Sequence, residues 1–334
     1  MKRFLVPSCL IAVIVIGAMV IPASGAEGKP DWFAFTDDTA KPASHAPTES
    51  SPPKPIPWLT VGFEYVVVSD YIWRGLNLSE YAGEGREKLN HQTTVSFEID
   101  IAELGCPIGG SFGGSIWFEW YAAQEKLTPH SGRNLQEVDF SLHYSHDIGD
   151  TGLTGEFGWI AYTFPPMRDS GAGQNRDGSY THEVYLLLSY DDSKIFGKPM
   201  LNPTVAYYLD VDDVRASFIA LGISHDFKIG NIGCPISHCP ILKDLTVTPS
   251  ATLAIDHRYY DKTGFGSANS IGTRLGYIEY GLEMSLDLSS ALNISTTYGS
   301  LTLGTFINFV QSIHDENTAV QDEFYGGMKI GWEW

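Results

Sequence analysis

From Trp58 to the end of the chain, apolar and polar residues alternate with a period of two in one segment after another. In the first of these segments, residues 59–67, an apolar face of leucine, valine, phenylalanine and tyrosine opposes Thr60, Gly62 and Glu64. Successive side chains of a β-strand point to opposite faces, so this pattern predicts a strand with one apolar face.

The same pattern predicts strands along the whole region. It is clear in residues 95–101, 138–144, 156–159, 183–190, 246–256, 278–287 and 324–334, and weaker in residues 116–121, 204–210, 217–225 and 292–303. The total is about twelve strands, an even number, as in single-chain outer-membrane barrels. We therefore predict an all-β fold, a transmembrane antiparallel up-and-down β-barrel over residues 58–334. In the eighth strand Ile219, Leu221 and Ile223 oppose Phe218 and Ala220, so either facing fits.

The connections between these segments support a barrel, because outer-membrane barrels have short periplasmic turns and longer outer loops. The predicted outer loops are residues 69–90, 124–133, 165–181, 212–214, 257–272 and 311–322, whereas turns 148–151 and 289–292 are short. Three predicted periplasmic connections, residues 103–110, 193–202 and 228–244, are longer than this rule expects.

The last strand carries a further signal for the outer membrane. Apolar residues occupy alternate positions and the chain ends on an aromatic residue, a pattern that resembles the terminal strand recognised by the barrel-insertion machinery. We predict that this machinery and outer-membrane lipid are partners of the chain. The residues of the predicted insertion signal are Phe324, Met328, Ile330, Trp332 and Trp334.

The amino-terminal part divides into two segments. Lys2 and Arg3, the apolar run 10–21 and the small residues 23–26 follow the order of a cleaved secretory signal, which we predict over residues 1–26. Residues 27–57 are rich in proline, serine and threonine and predict a flexible periplasmic linker. The mature protein is therefore predicted to reside in the bacterial outer membrane.

Charge indicates what the barrel would pass. The formal net charge of −19 argues against nucleic acid as a partner, since phosphate binding needs clustered lysine and arginine. Acidic residues recur on the predicted inner face, so an open bore would prefer cationic or neutral small solutes. A packed, plugged barrel with a structural or adhesive role is the alternative. The predicted pore-lining acids are Glu64, Glu98, Asp100, Glu119, Asp139, Glu156, Glu183, Glu279 and Glu283, with Lys329 and Arg274 as basic neighbours.

A motif follows the first strand. The run Ser69-Asp70-Tyr71-Ile72-Trp73-Arg74-Gly75-Leu76 resembles the motif of the TorF-like porins, bacterial outer-membrane proteins of unknown function. The resemblance extends to residues 207–213, 222–227 and the last strand, and it implies a signal peptide, a barrel of about this size and a pore role, with no catalytic residues. The proline-rich segment and three Cys-Pro-Ile tripeptides depart from the family.

Physical reasoning predicts a local charge pair between Asp70 and Arg74 in this motif. Tyr71 and Trp73 are expected at the height of the aromatic girdle, and Gly75 completes the set of motif residues. The role of this pair is to anchor the loop; alternatively, Arg74 binds substrate.

Cysteines and histidines leave two minor alternatives open. Two of Cys106, Cys234 and Cys239 are predicted to form a disulfide in the periplasmic turns, with a free thiol or a zinc site that includes His238 as the alternatives. A rim-site hydrolase would use His91, His130, His182 or His257 with Ser131, Ser179 or Asp261, but no nucleophile motif is present. We therefore predict no enzyme and no cofactor or metal, and no oligomeric state follows from the sequence.

Overall fold

The computed structural model describes residues 56–81, 89–121, 135–164, 180–231, 242–260, 272–313 and 320–334. All of them lie in one compact unit, Pro53–Trp334. The predicted signal and all but the last two residues of the predicted linker lie outside these ranges, so both stay predictions.

Within these residues, twelve long strands form one antiparallel sheet that closes on itself, which confirms the predicted fold class. Each strand pairs with its neighbours along the chain, and β1 pairs with β15 to complete the barrel. The long strands are β1 (Leu59–Val68), β4 (Asn90–Asp100), β5 (Ser111–Tyr121), β6 (Leu135–Asp147), β7 (Leu153–Thr163), β8 (Tyr180–Tyr190), β9 (Thr204–Asp210), β10 (Ser217–Ser224), β12 (Leu245–His257), β13 (Thr273–Asp287), β14 (Ser300–Ser312) and β15 (Glu323–Glu333). Three two-residue strands complete the set: β2 (Ile72–Trp73), β3 (Leu76–Asn77) and β11 (Phe227–Lys228). The short helices are α1 (Leu78–Tyr81), α2 (Ser193–Phe196) and α3 (Leu288–Leu292).

The barrel has two ends that differ in their connections. We call the end where β1 begins and β15 finishes the terminal end, and the opposite one the loop end. The connections at the loop end include residues 69–89 and 211–216, and those at the terminal end include 101–110 and 288–299.

The outer face of the wall is apolar. Phe63 on β1 pairs with Val95 on β4, and both side chains are more than 40% exposed, although they are large and apolar. The same holds for Phe157 on β7, Val205 on β9 and Leu282 on β13, which lie on other sides of the barrel. Such an exposed band on every side is what a lipid-facing wall requires.

The facing of the eighth strand is now defined. On β10, Leu221 and Ile223 lie on the exposed outer face, whereas Phe218 is 2% exposed and belongs to a buried cluster inside the barrel. Leu221 and Ile223 therefore face the outside of the barrel, and Phe218 faces its packed interior.

One predicted strand was placed wrongly. The pattern at residues 292–303 predicts a strand there, but β14 begins at Ser300, and the segment before it contains helix α3 (Leu288–Leu292) and the 3-10 turn Thr296–Tyr298. The Asp287 carboxylate accepts a hydrogen bond from Ser290 N and caps α3, and Asn293 ends it in the left-handed region with a φ of 53°. Helix capping thus determines the structure of this segment, although its residues alternate as in a strand. The predicted short turn 289–292 is also wrong, because these residues belong to α3.

The long connection 191–203 has a local explanation. It contains helix α2 (Ser193–Phe196), and the buried carboxylate of Asp192 accepts hydrogen bonds from Met200 N at 2.8 Å and Leu201 N at 2.7 Å. These hydrogen bonds fix the conformation of the connection. No helix in the described ranges is long and apolar enough to cross a membrane.

Candidate functional site

The connection after β1 folds back into the barrel at the loop end. Strands β2 and β3 pair through Ile72 with Asn77 and Trp73 with Leu76, and only Arg74 and Gly75 join them. Both joining residues have positive φ angles, 51° and 76°. Two positive φ angles in a two-residue loop define a type I′ turn, the connection that matches the twist of a β-hairpin. We call residues 69–81 the inward hairpin; Arg74 is at its tip.

The base of the inward hairpin is held by its own polar side chains. Asn77 Nδ2 donates to Asp70 Oδ1 at 3.2 Å, and Ser79 Oγ accepts from Tyr71 N at 2.8 Å and from Asn90 Nδ2 at 2.7 Å. The predicted charge pair between Asp70 and Arg74 is therefore wrong. The tight turn places Arg74 at the tip, while Asp70 lies at the base.

Arg74 pairs instead with a carboxylate of the barrel wall. Its Nη1 and Nη2 donate to the two carboxylate oxygens of Glu183 at 2.8 and 2.7 Å, and the two side chains are 9% and 0% exposed. Tyr162 Oη donates to the same carboxylate at 2.8 Å. Burial alone lowers the pKa of the guanidinium, but the Glu183 carboxylate more than compensates and holds the pKa of Arg74 above its usual value. The site therefore contains a charged, two-pronged ion pair.

Four aromatic rings surround the same guanidinium. The Arg74 Cζ atom lies 4.2 Å from the ring centroid of Tyr259, 4.9 Å from that of Phe218, and 5.0 Å from those of Trp73 and Tyr208. All four distances are within the range of a cation–π contact. We call Glu183 together with these four rings the arginine cage.

Other contacts fix the inward hairpin against the opposite wall. Tyr260 Oη donates to the Arg74 carbonyl at 2.7 Å, and Tyr71 Oη donates to Glu137 Oε2 at 3.0 Å. The ring of Tyr277 lies under Gly75, so closely that a Cβ added to this glycine would be 2.5 Å from Tyr277 Cδ1. The hairpin therefore touches β6, β8 and β13, which lie on different sides of the lumen.

These contacts make the loop end of the lumen a packed core. Tyr71 is 6% and Leu76 is 0% exposed, and Trp73 packs against them. The expected placement of Tyr71 and Trp73 at the aromatic girdle is wrong, because both side chains lie inside the barrel. The buried apolar cluster consists of Tyr71, Leu76, Leu78, Ala216, Phe218, Ala254, Tyr259, Tyr260, Tyr277, Val310 and Val320.

The predicted pore-lining acids at the loop end are enclosed by this core. Glu183 is the partner of Arg74, and Glu119 is also 0% exposed and lies opposite Gln92 on β4. Asp139 lies two positions along β6 from Glu137, and Glu137 itself is 2% exposed. These acids face inward as predicted, but they line no open bore in this structure.

The acids at the terminal end lie in more open surroundings. Glu98 Oε2 is 3.0 Å from His143 Nε2, and Glu283 Oε1 is 2.8 Å from Lys329 Nζ, with both pairs partly exposed. Glu64, with Thr94 and Thr302, lines a cavity of about 350 Å³. This half of the lumen is polar and contains free space.

Three more predicted acids have defined partners. Tyr185 Oη donates to Glu156 at 2.7 Å, and Tyr325 Oη donates to Glu279 at 2.7 Å. Asp100 is exposed at the terminal end and accepts from Ala102 N and from Glu103 N, so it caps a turn and its prediction as a pore-lining acid is wrong. Arg274, predicted as a lumen base, lies 3.0 Å from the Asp256 carboxylate.

Sequence reasoning missed several members of the site. Glu137 could have been found, because it lies two positions before Asp139 on the same strand and therefore shares its facing. Tyr162, Tyr208 and Phe218 point inward from the wall, where polar residues are expected in a water-filled pore. Tyr259 lies in a connection, where alternation predicts no facing. The cage is assembled by the fold and not by any one segment.

Other predicted residues lie apart from this site. On β15, Phe324 and Met328 are 67% and 59% exposed on the outer face, and Trp332 and Trp334 donate to the carbonyls of Tyr298 and Thr297. Cys106 is buried in the connection 101–110, whereas Cys234 and Cys239 lie outside the described residues, so the disulfide stays a prediction.

The predicted rim site is only partly described. His91 bonds to Tyr65, His182 stacks on Trp159, and His257 bonds to Thr273. Its other predicted members, His130, Ser131, Ser179 and Asp261, lie outside the described residues.

Comparisons with known proteins give a likeness of fold only. No protein-family model matches the chain, and no curated protein matches it. Among solved structures, the NanC porin is 12% identical over 83% of this chain and 98% of its own, with a TM-score of 0.39. OprB of Pseudomonas putida is 9% identical over 83% and 94%, with a TM-score of 0.32. The outer membrane channel DcaP of Acinetobacter baumannii is 8% identical over 83% and 96%, with a TM-score of 0.33. No residue role is transferred from them.

Proposed function

We propose that the chain is a porin-like channel of the bacterial outer membrane that passes small cationic or neutral solutes when the inward hairpin leaves the lumen. The observation that carries this proposal is the contrast within the lumen. The terminal half is polar, acidic and contains a cavity of about 350 Å³, while the loop half is filled by one hairpin and the side chains that pack on it. The resemblance to TorF-like porins implies the same role.

The membrane location is supported by the outer face of the wall. Phe63 on β1, Phe157 on β7, Val205 on β9 and Leu282 on β13 are large apolar side chains that are exposed on strands spread around the barrel. In water such a band would be an aggregation hazard, but in lipid it is required. We further propose that β15 is the strand that the insertion machinery recognises and that the terminal end faces the periplasm.

The preference for cations is supported by the charges of the terminal half. Glu64, Glu98, Glu156 and Glu283 face this part of the lumen, and Lys329 is the lysine among them. An excess of one sign in a narrow polar passage raises the local concentration of the opposite ion. Anions would be disfavoured by the same field.

A plugged barrel with a structural or adhesive role is the second candidate. The observation that favours it is the depth of burial at the loop end, where Arg74, Tyr71 and Leu76 are all less than 10% exposed. A lumen filled in this way conducts nothing unless the inward hairpin moves.

Conductance in planar bilayers separates the two candidates. We would compare the wild-type protein with a variant in which Tyr71, Trp73, Arg74 and Leu76 are all serine, which removes the side chains that fill the lumen. The channel proposal expects discrete, cation-preferring steps that are larger or more frequent in the serine variant. It also expects that Glu64→Gln, Glu98→Gln and Glu283→Gln together reduce the cation preference in a salt gradient.

Silence of both folded proteins would overturn the channel and leave the plugged barrel. Folding of each sample is checked by the shift in gel mobility on heating, so that a silent sample is known to be a barrel. Steps without any preference among ions would overturn the role of the acidic residues while keeping the channel.

A further inference from the structure

We propose that the arginine cage is a binding site for guanidinium-bearing solutes and that Arg74 is its tethered occupant. This inference rests on the proposed function, because it assigns a solute class to the lumen. A solute with a guanidinium group would compete with Arg74 for Glu183 and the surrounding rings. The inward hairpin would then be displaced by the solute that the barrel admits.

The cage is built mainly by the barrel wall. Glu183, Tyr208 and Phe218 are on the adjacent strands β8, β9 and β10, and Tyr259 follows β12, which pairs with β10. Only Trp73 comes from the inward hairpin itself. Departure of the hairpin would therefore leave the Glu183 carboxylate and three aromatic faces in place and open to the lumen.

The chemistry of these groups selects guanidinium over other cations. Both Glu183 oxygens are engaged in parallel, at 2.8 and 2.7 Å, which matches the planar fork of a guanidinium and not the point charge of an ammonium or a metal ion. The rings present their faces at 4.2 to 5.0 Å, where a weakly hydrated planar cation stacks well. Sodium and tetramethylammonium lack the two-pronged donor geometry.

The backbone at the hairpin tip gives an independent reason. The first central residue of a type I′ turn is preferentially asparagine, aspartate or glycine, yet this position holds Arg74 with a φ of 51°. A residue with a long side chain is conformationally disfavoured in the left-handed region. Arg74 places a guanidinium in the cage, which an asparagine, aspartate or glycine at this turn position could not do.

The test uses variants that vacate the cage but suit the turn. Arg74→Asn creates Asn-Gly, the preferred type I′ pair, and Arg74→Gly is measured beside it so that poor folding of one variant leaves the other. Binding of guanidinium chloride to the refolded full chain in detergent micelles is measured by calorimetry. Sodium chloride and tetramethylammonium chloride at equal concentration are the matched probes.

The expected result is saturable guanidinium binding to the Arg74 variants that is at least about tenfold tighter than to wild type, where Arg74 fills the site. Adding Glu183→Gln should abolish the difference. Absence of binding in both folded Arg74 variants, or equal binding after Glu183→Gln, would overturn the proposal.

The same experiment separates this inference from the proposed function, because it needs no conductance. Binding to a barrel that is silent in bilayers would keep the cage and overturn the channel. Conductance by a barrel that binds no guanidinium would keep the channel and overturn the cage.

Discussion

The two halves of the lumen treat acidic residues in opposite ways. At the loop end Glu183 is fully buried and pairs with the guanidinium of Arg74. Arg74 belongs to the inward hairpin and not to the barrel wall. At the terminal end Glu283 and Lys329 pair while both remain about a third exposed to water. An inward-facing acid therefore indicates an ion path only where no connection returns to neutralise it.

The contrast follows from what each environment demands of a charge. A buried carboxylate without partner or water is costly, so the loop end must supply hydrogen bonds and countercharge from protein. The terminal end leaves that role to solvent. Loss of a partner should therefore cost more stability at the loop end than at the terminal end.

Removal of the buried acid should break the loop half. Glu183→Ala leaves the Arg74 guanidinium in the core without its carboxylate, and breaking such a pair costs about 3–5 kcal/mol. The inward hairpin should leave the lumen, and trypsin should then cut the bond between Arg74 and Gly75. Cleavage is followed by mass spectrometry, and the unfolding free energy by urea titration in micelles.

Glu156→Ala is the matched control in the terminal half. Glu156 also accepts a tyrosine hydroxyl, but it is only partly buried, so its loss should cost far less and leave Arg74 protected. Equal trypsin sensitivity of the two variants would contradict the difference between the halves.

A methyl group at the hairpin tip should have an intermediate effect. Gly75→Ala strains a φ of 76° and places Cβ against the Tyr277 ring, so we expect a loss of about 2 kcal/mol and partial trypsin sensitivity. Gly105 has the same φ of 76° but nothing within 4 Å of the added Cβ. Gly105→Ala therefore reports the strain alone, and an equal loss in both variants would mean that the Tyr277 contact contributes nothing.

The smallest change in stability is expected at the terminal end. Lys329→Met removes one partner of an ion pair that is 27% and 36% exposed, so solvent screening limits the cost to less than about 1 kcal/mol. The cation preference of the conducting serine variant should nevertheless rise, because a lumen cation is lost. The reversal potential in a salt gradient measures this, and an unchanged or lower preference would show that Lys329 does not face the path.

The sequence was sufficient to predict the wall. A lipid-facing side must be apolar at every second position, so alternation marks a strand in almost any context. The prediction failed at residues 292–303, where the capping of α3 by Asp287 and the turn at Asn293 replace a strand that the pattern favours. The ambiguous β10 was resolved only by its neighbours, since Phe218 packs against a connection from a distant part of the chain.

The site was predicted only in part, for a physical reason. The motif around Arg74 was recognised, and Glu183 was correctly given an inward facing, but their pairing joins residues that are 109 positions apart. Alternation reports which face a residue occupies and not what occupies the space opposite. That Tyr259 and Tyr208 converge on one guanidinium depends on barrel closure, which no local pattern contains.

The tether of Arg74 has a consequence for how much solute would be needed. A group held on a short connection meets its site at an effective concentration of about millimolar or higher, independent of the surroundings. Tyr260 and Tyr71 also form hydrogen bonds that hold the hairpin in place. Arg74 therefore competes for the cage more strongly than its tether alone would allow. If the cage binds guanidinium solutes as proposed, a free compound of equal affinity displaces half of the Arg74 side chains only near this internal concentration, so traces of it would leave the inward hairpin in place.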